Sequence, residues 1–78
     1  MTKKGPTNIK FVVCIENTGY EVSLELHKIY RVVQDDDAAA EGDLRVVDES
    51  GEDYLYPTSF FAPIKVPTDV ENALLRAS

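Results

Sequence analysis

The sequence predicts an all-β fold: a small five-stranded barrel with a short C-terminal α-helix. Three observations lead there. Short apolar runs rich in β-branched residues alternate with clusters of Gly, Pro, Asn and Asp, which is the rhythm of strands and tight turns. Helical spacing of apolar residues begins only after Pro67. Nowhere does the chain supply the roughly 30-residue crossover of a parallel strand–helix–strand unit. At 78 residues the chain has room for one domain, and short strands hide their edges most simply by wrapping into a closed sheet.

Each element follows from local chemistry. Residues 1–8 hold Gly5, Pro6 and Asn8 without periodicity and read as a flexible leader. The leader is basic, but no long apolar segment follows it, so it does not read as a signal peptide. The barrel is assigned to 9–66. Ile9–Ile15 is a first strand, nearly apolar on both faces and therefore either central or covered on its outer side, with Cys14 as a small buried hydrophobe. Glu16-Asn17-Thr18-Gly19 is a turn. Leu24–Val33 forms the second strand, with Leu26, Tyr30 and Val32 on its inward face. Asp35-Asp36-Asp37 repel one another in a ladder and stop it. Ala38–Glu41 makes one helical turn behind an aspartate cap, and Gly42 ends it. Leu44–Asp48 and Tyr54–Tyr56 are strands joined by a hairpin that turns at Gly51. Pro57 breaks the fourth strand, and Phe61–Val66 is the last, with Pro63 marking an edge or the end of a ladder.

Residues 67–78 carry the C-terminal helix, packed on the barrel and running from about Asp69 to Ala77. Thr68 and Glu71 have capping-box spacing, and Val70, Ala73, Leu74 and Ala77 share one face. So short a helix is unstable alone and must dock, with Leu74 as its main anchor. The expected core is Ile9, Val13, Leu26, Val32, Val46, Leu55 and Phe61.

Eight basic residues stand against fourteen acidic ones, a formal charge of −6. The charge is segregated: Glu16 to Tyr56 holds twelve acids and three bases, and the remainder holds five bases and two acids. Such a chain is a poor ligand for phosphate backbones, so no nucleic-acid partner is expected. No apolar run approaches a membrane span, so no membrane partner is expected either. The single cysteine forbids an internal disulfide and fits a cytoplasmic location. The acidic middle is either a solubilising face or a face for a basic partner.

The stretch Tyr54-Leu55-Tyr56-Pro57-Thr58-Ser59-Phe60-Phe61-Ala62-Pro63 resembles the segment Gly-Tyr-Ile-Pro-Ser-Asn-Tyr-Val-Ala-Pro of the SH3-like barrel superfamily. There a strand ends at a proline, one 3₁₀ turn follows, and the last strand begins. The resemblance sets Pro57 and Phe60 on the ligand face and Phe61 in the core. Leu24–Val33 is similar to the segment that leaves the long RT loop, with His27 or Lys28 where a glycine is usual. The acidic linker and the Asp-Glu-Ser-Gly hairpin also resemble small SH3-like proteins of bacteria and phages. The resemblance spans roughly residues 9–66 and implies the fold. It does not imply polyproline binding, because the chain has no Trp and Asn17–Ser23 is short for an RT loop.

Chemistry-bearing residues are sparse. His27 is the only histidine, and one His with one Cys is not a zinc site. Asp35-Asp36-Asp37 lacks the spacing of a calcium loop. No catalytic residue, cofactor or metal is assigned. The aromatic residues are the sharper group. Tyr20, Tyr54, Tyr56 and Phe60, beside Pro57, exceed what a small core needs, and rigid rings offer contact area at low entropy cost. Their expected function is that of a non-catalytic protein–protein interaction module or small accessory protein, a monomer or weak dimer. Asp48, Glu49, Glu52 and Asp53 would bias it toward a basic or proline-containing partner. The alternatives are an acidic decoy occupying a basic, nucleic-acid-binding protein surface, and a small enzyme or metal-binding protein. The competing placement puts the rings in the core or under the C-terminal helix, or makes at least one of the tyrosines a lid over Leu55.

Overall fold

Val12, Cys14, Leu24 and Val46 are wholly buried, and the strands are arranged around them. The computed structural model describes residues 9–77; the leader at 1–8 and Ser78 lie outside the described residues. The elements are β1 (Phe11–Cys14), β2 (Ile29–Val33), α1 (Asp36–Ala40), β3 (Asp43–Val47), β4 (Asp53–Pro57), β5 (Phe61–Ile64) and α2 (Thr68–Ala77). A 3₁₀ turn, Thr58–Phe60, joins β4 to β5.

The strands form one antiparallel sheet in the order β4-β3-β2-β1-β5. The expectation of a closed barrel is corrected here. β4 and β5 are consecutive in the chain, yet they lie on opposite margins of the sheet and do not pair with each other. Closure needs a ladder between the two outermost strands. Instead, the 3₁₀ turn carries the chain from one margin to the other, and the sheet stays open. β2 is the hinge of the arrangement. Ile29–Arg31 pair with β1, whereas Val32 and Val33 pair with Val46 and Arg45 of β3.

The turns fall where the sequence puts them. The Asp35 side chain accepts from the Ala38 amide at 3.0 Å, capping α1, and its other oxygen pairs with Arg45 Nε at 2.8 Å. Gly42 and Gly51 take φ of 83° and 85°. The second strand is shorter than expected because the chain turns over Glu25–Lys28. His27 has a φ of 68°, and its amide donates to the Cys14 carbonyl at 2.7 Å. A left-handed residue therefore sits where the resemblance calls for glycine.

The core differs from expectation in its faces. Val46 and Phe61 are buried, and Ile9 and Val32 pack against the core from its margin. Val13 is only half-buried. Leu26 is 43% exposed because it precedes the strand, and Leu55 is 44% exposed because β4 turns its other face inward. Tyr56, at 3% exposure, takes the place expected for Leu55.

α2 rests lightly on the sheet. Leu74 is half-buried and shares a groove with Phe11, Ile29 and Arg31, while Val70 and Leu75 remain mostly exposed. The capping box differs from its expected form. The Glu71 amide donates to the Pro67 carbonyl at 2.9 Å, and the Glu71 carboxylate pairs with Lys10 at 3.2 Å. Among the described residues no helix is long and apolar enough to cross a membrane.

Candidate functional site

The loop between β1 and β2 is folded onto the sheet by Leu24, whose side chain is fully buried. The Tyr20 amide donates to the Asn17 carbonyl at 2.8 Å, and the Tyr20 carbonyl accepts from Ser23 and Leu24. Asn17 Nδ2 donates to the Leu24 carbonyl at 3.0 Å. The Ser23 carbonyl accepts from the Glu49 amide at 3.0 Å, tying the loop to the β3–β4 hairpin. These bonds fix Tyr20 beside β4.

The rings then meet edge to face. Tyr20 and Tyr56 have centroids 5.1 Å apart at 87°, and Tyr20 and Phe60 are 5.9 Å apart at 69°. Tyr56 continues into the core against Phe61 at 6.3 Å. Offset and perpendicular pairs of this kind are the favoured aromatic geometries. The 3₁₀ turn presents Phe60, whose carbonyl accepts from the Ile15 amide at 2.8 Å.

A groove of about 420 Å³ runs along this face, lined by Tyr20, Ser23, Asp48, Ser50, Tyr54 and Tyr56, with Leu55 alongside. Asp48 is 6% exposed. One carboxylate oxygen accepts from the Ser50 amide at 2.8 Å and the Ser50 hydroxyl at 2.6 Å; the other accepts from the Tyr56 hydroxyl at 2.5 Å. Burial pushes the Asp48 carboxyl upward, but the bonds from Ser50 and Tyr56 outweigh it and hold the group below the ordinary carboxylate value. Tyr56 is pushed up to about 12, first by burial and then by its bond to Asp48.

A second polar cluster flanks the hairpin. Lys28 Nζ pairs with Glu49 at 2.7 Å and lies 5.6 Å from the Tyr30 ring centre. The Tyr30 hydroxyl donates to Glu49 and accepts from the Glu25 amide at 2.7 Å. Burial, and then the bond to Glu49, push the Tyr30 hydroxyl well above its usual value.

The structure thus brings Tyr20, Tyr56 and Phe60 into contact and sets Tyr54 in the same groove. Pro57 is half-buried where β4 passes into the 3₁₀ turn. The rings divide between the two expected placements. Tyr20 and Tyr54 are 42% and 50% exposed, Phe60 is half-buried, and Tyr56 belongs to the core. Sequence reasoning placed Asp48 among the acids that bias the site but missed that it is buried, and it missed Ser23 and Ser50. The spacing of Asp48 and Ser50 in a turn, suited to a side chain bonding backbone two residues on, is the trace they leave. Cys14 is buried, its Sγ within 3.2 Å of the Glu16 carbonyl, and burial pushes the thiol up. Among the described residues no group of three or more His, Cys, Asp or Glu is placed to hold a metal ion.

Comparison with protein-family models, with curated proteins and with solved structures finds no match. The resemblance to SH3-like barrels, and to small bacterial and phage proteins of that type, is therefore corrected on two grounds. No family or structure supports it, and the sheet that would carry it is open.

Proposed function

We propose that this protein is a non-catalytic interaction module whose binding surface is centred on Tyr20, Tyr54, Tyr56, Pro57 and Phe60: the groove lined by the three tyrosines and the 3₁₀ turn beside it. The observation that carries this reading is the pair of half-exposed rings, Tyr20 and Tyr54, beside a groove braced from behind by buried Tyr56. Half-exposed aromatics on a rigid backing give contact area without ordering cost, the usual make-up of a binding hot spot. Glu52, which accepts from the Tyr54 hydroxyl at 3.1 Å, and Asp53 beside it favour a partner of positive charge.

The test is capture of partners from host extract by the wild type and by a Tyr20→Ala, Tyr54→Ala double variant. The variant gives up the edge contacts of Tyr20 with Tyr56 and Phe60, so it is expected to melt below the wild type but still to unfold cooperatively. Loss of captured partners by the folded variant supports the surface; full retention overturns it.

A further inference from the structure

Asp48 is a buried carboxylate that accepts from neutral donors, among them the Ser50 amide, the Ser50 hydroxyl and the Tyr56 hydroxyl. The ion pairs among the described residues join Lys10 to Glu71, Lys28 to Glu49 and Arg45 to Asp35, and none reaches Asp48. A buried charge is ordinarily matched by an opposite one. Asp48 lines the aromatic groove together with Tyr20, Tyr54 and Tyr56. The faces of such rings attract cations, and the two rings of the groove that reach solvent are Tyr20 and Tyr54, 42% and 50% exposed.

We infer that the groove is a receptor for a guanidinium group, an arginine side chain of the partner, seated between Tyr20 and Tyr54 with Asp48 as its counter-ion. This rests on the reading of the same face as a protein-binding surface. Guanidinium fits better than ammonium for two reasons. It is flat and stacks on tyrosine faces, and its donors diverge in one plane. Oδ1 of Asp48 accepts the two bonds from Ser50 and Oδ2 the one from Tyr56, so a single guanidinium N–H is directed to Oδ2. The remaining donors have the Ser23 and Ser50 side chains within the same groove. At about 420 Å³ the groove exceeds a guanidinium head and accommodates the neighbouring residue of the partner as well.

The experiment titrates the ¹⁵N-labelled full chain with a blocked proline–arginine–proline tripeptide, and with its citrulline and lysine counterparts, following amide shifts. Saturable shifts centred on Tyr20, Ser50, Tyr54 and Tyr56 are expected with arginine. The citrulline peptide, equal in shape but uncharged, should bind about tenfold more weakly, the loss of one favourable ionic contact. Asp48→Asn should abolish the preference for arginine over citrulline. Because that substitution touches the bonds to Ser50 and Tyr56, Tyr20→Leu and Tyr54→Leu serve as exposed controls, and each should weaken arginine binding severalfold. Equal affinity for citrulline, shifts centred outside the groove, or a lysine peptide that binds as tightly as arginine overturns the inference. Partners captured by the wild type and lost in the Tyr20→Ala, Tyr54→Ala variant, with no groove response to the arginine peptide, refute the guanidinium receptor and leave the interaction surface standing. Full retention of partners by that variant, together with no groove response to the arginine peptide, refutes both.

Discussion

Tyr56 lies inside because its hydroxyl has a partner there. Alternation along β4 separates Tyr54 and Tyr56 from Leu55, but it does not say which set faces the core. Apolarity alone favours Leu55, and it is the bond to Asp48 at 2.5 Å that reverses the choice. Tyr56→Phe is expected to cost about 1.5–3 kcal/mol in urea unfolding, the range for a hydrogen bond to a charged group. The pH dependence has two arms. Asp48 is depressed when folded, so its contribution is complete above the unfolded value near 4 and is lost as pH falls through the folded value. Tyr56 is raised to about 12 when folded, so its contribution is complete below the unfolded value near 10 and is lost as pH rises toward 12. Both losses should be smaller in Tyr56→Phe, as read by unfolding midpoints across pH. His27 gives a second residue-scale expectation. Its left-handed backbone costs an L-residue roughly 1–2 kcal/mol, part of which glycine gives back through greater unfolded freedom. His27→Gly should be neutral or stabilising by up to about 1 kcal/mol, and His27→Val destabilising by about 1 kcal/mol or more. Cys14, wholly buried, should react with thiol reagents slowly in the native state and fast once unfolded.

At the scale of elements, the turns were the most legible part. Asp35, Gly42, Gly51 and Pro57 have local chemistry that acts whatever the tertiary structure, and each turn or cap appears at its place. Strand length was less legible. Leu24-Glu25-Leu26 alternates like a strand, yet Leu24 is a loop residue folded into the core and the chain turns at His27. No local pattern separates a strand residue from a buried loop residue. α2 is the element held least firmly, with Leu74 half-buried and an exposed pair between Lys10 and Glu71. Exposed pairs contribute about 0–1 kcal/mol. Removal of residues 68–78 should therefore leave the sheet folded, with a loss below about 2 kcal/mol, and α2 amides should exchange with solvent well before those of β1 and β3. A truncated chain without cooperative unfolding contradicts this.

At the scale of the molecule, sheet closure was illegible because it is set by contacts between chain segments far apart, and short strands with tight turns suit open and closed sheets alike. The charge pattern, by contrast, is a property of the sequence that the fold inherits. Twelve acids between Glu16 and Tyr56 should defeat phosphate binding, with no measurable affinity for random duplex DNA at physiological salt. The open sheet carries a consequence for self-association. An unpaired strand margin is a template on which another copy can polymerise. Both margins of this sheet hold a proline, Pro57 in β4 and Pro63 in β5, and neither residue has an amide proton to give. Each margin thus presents an interrupted row of donors, and β4 adds the negative charge of Asp53. The two prolines act as guards against fibril growth, which a chain with two open margins needs and a closed barrel would not.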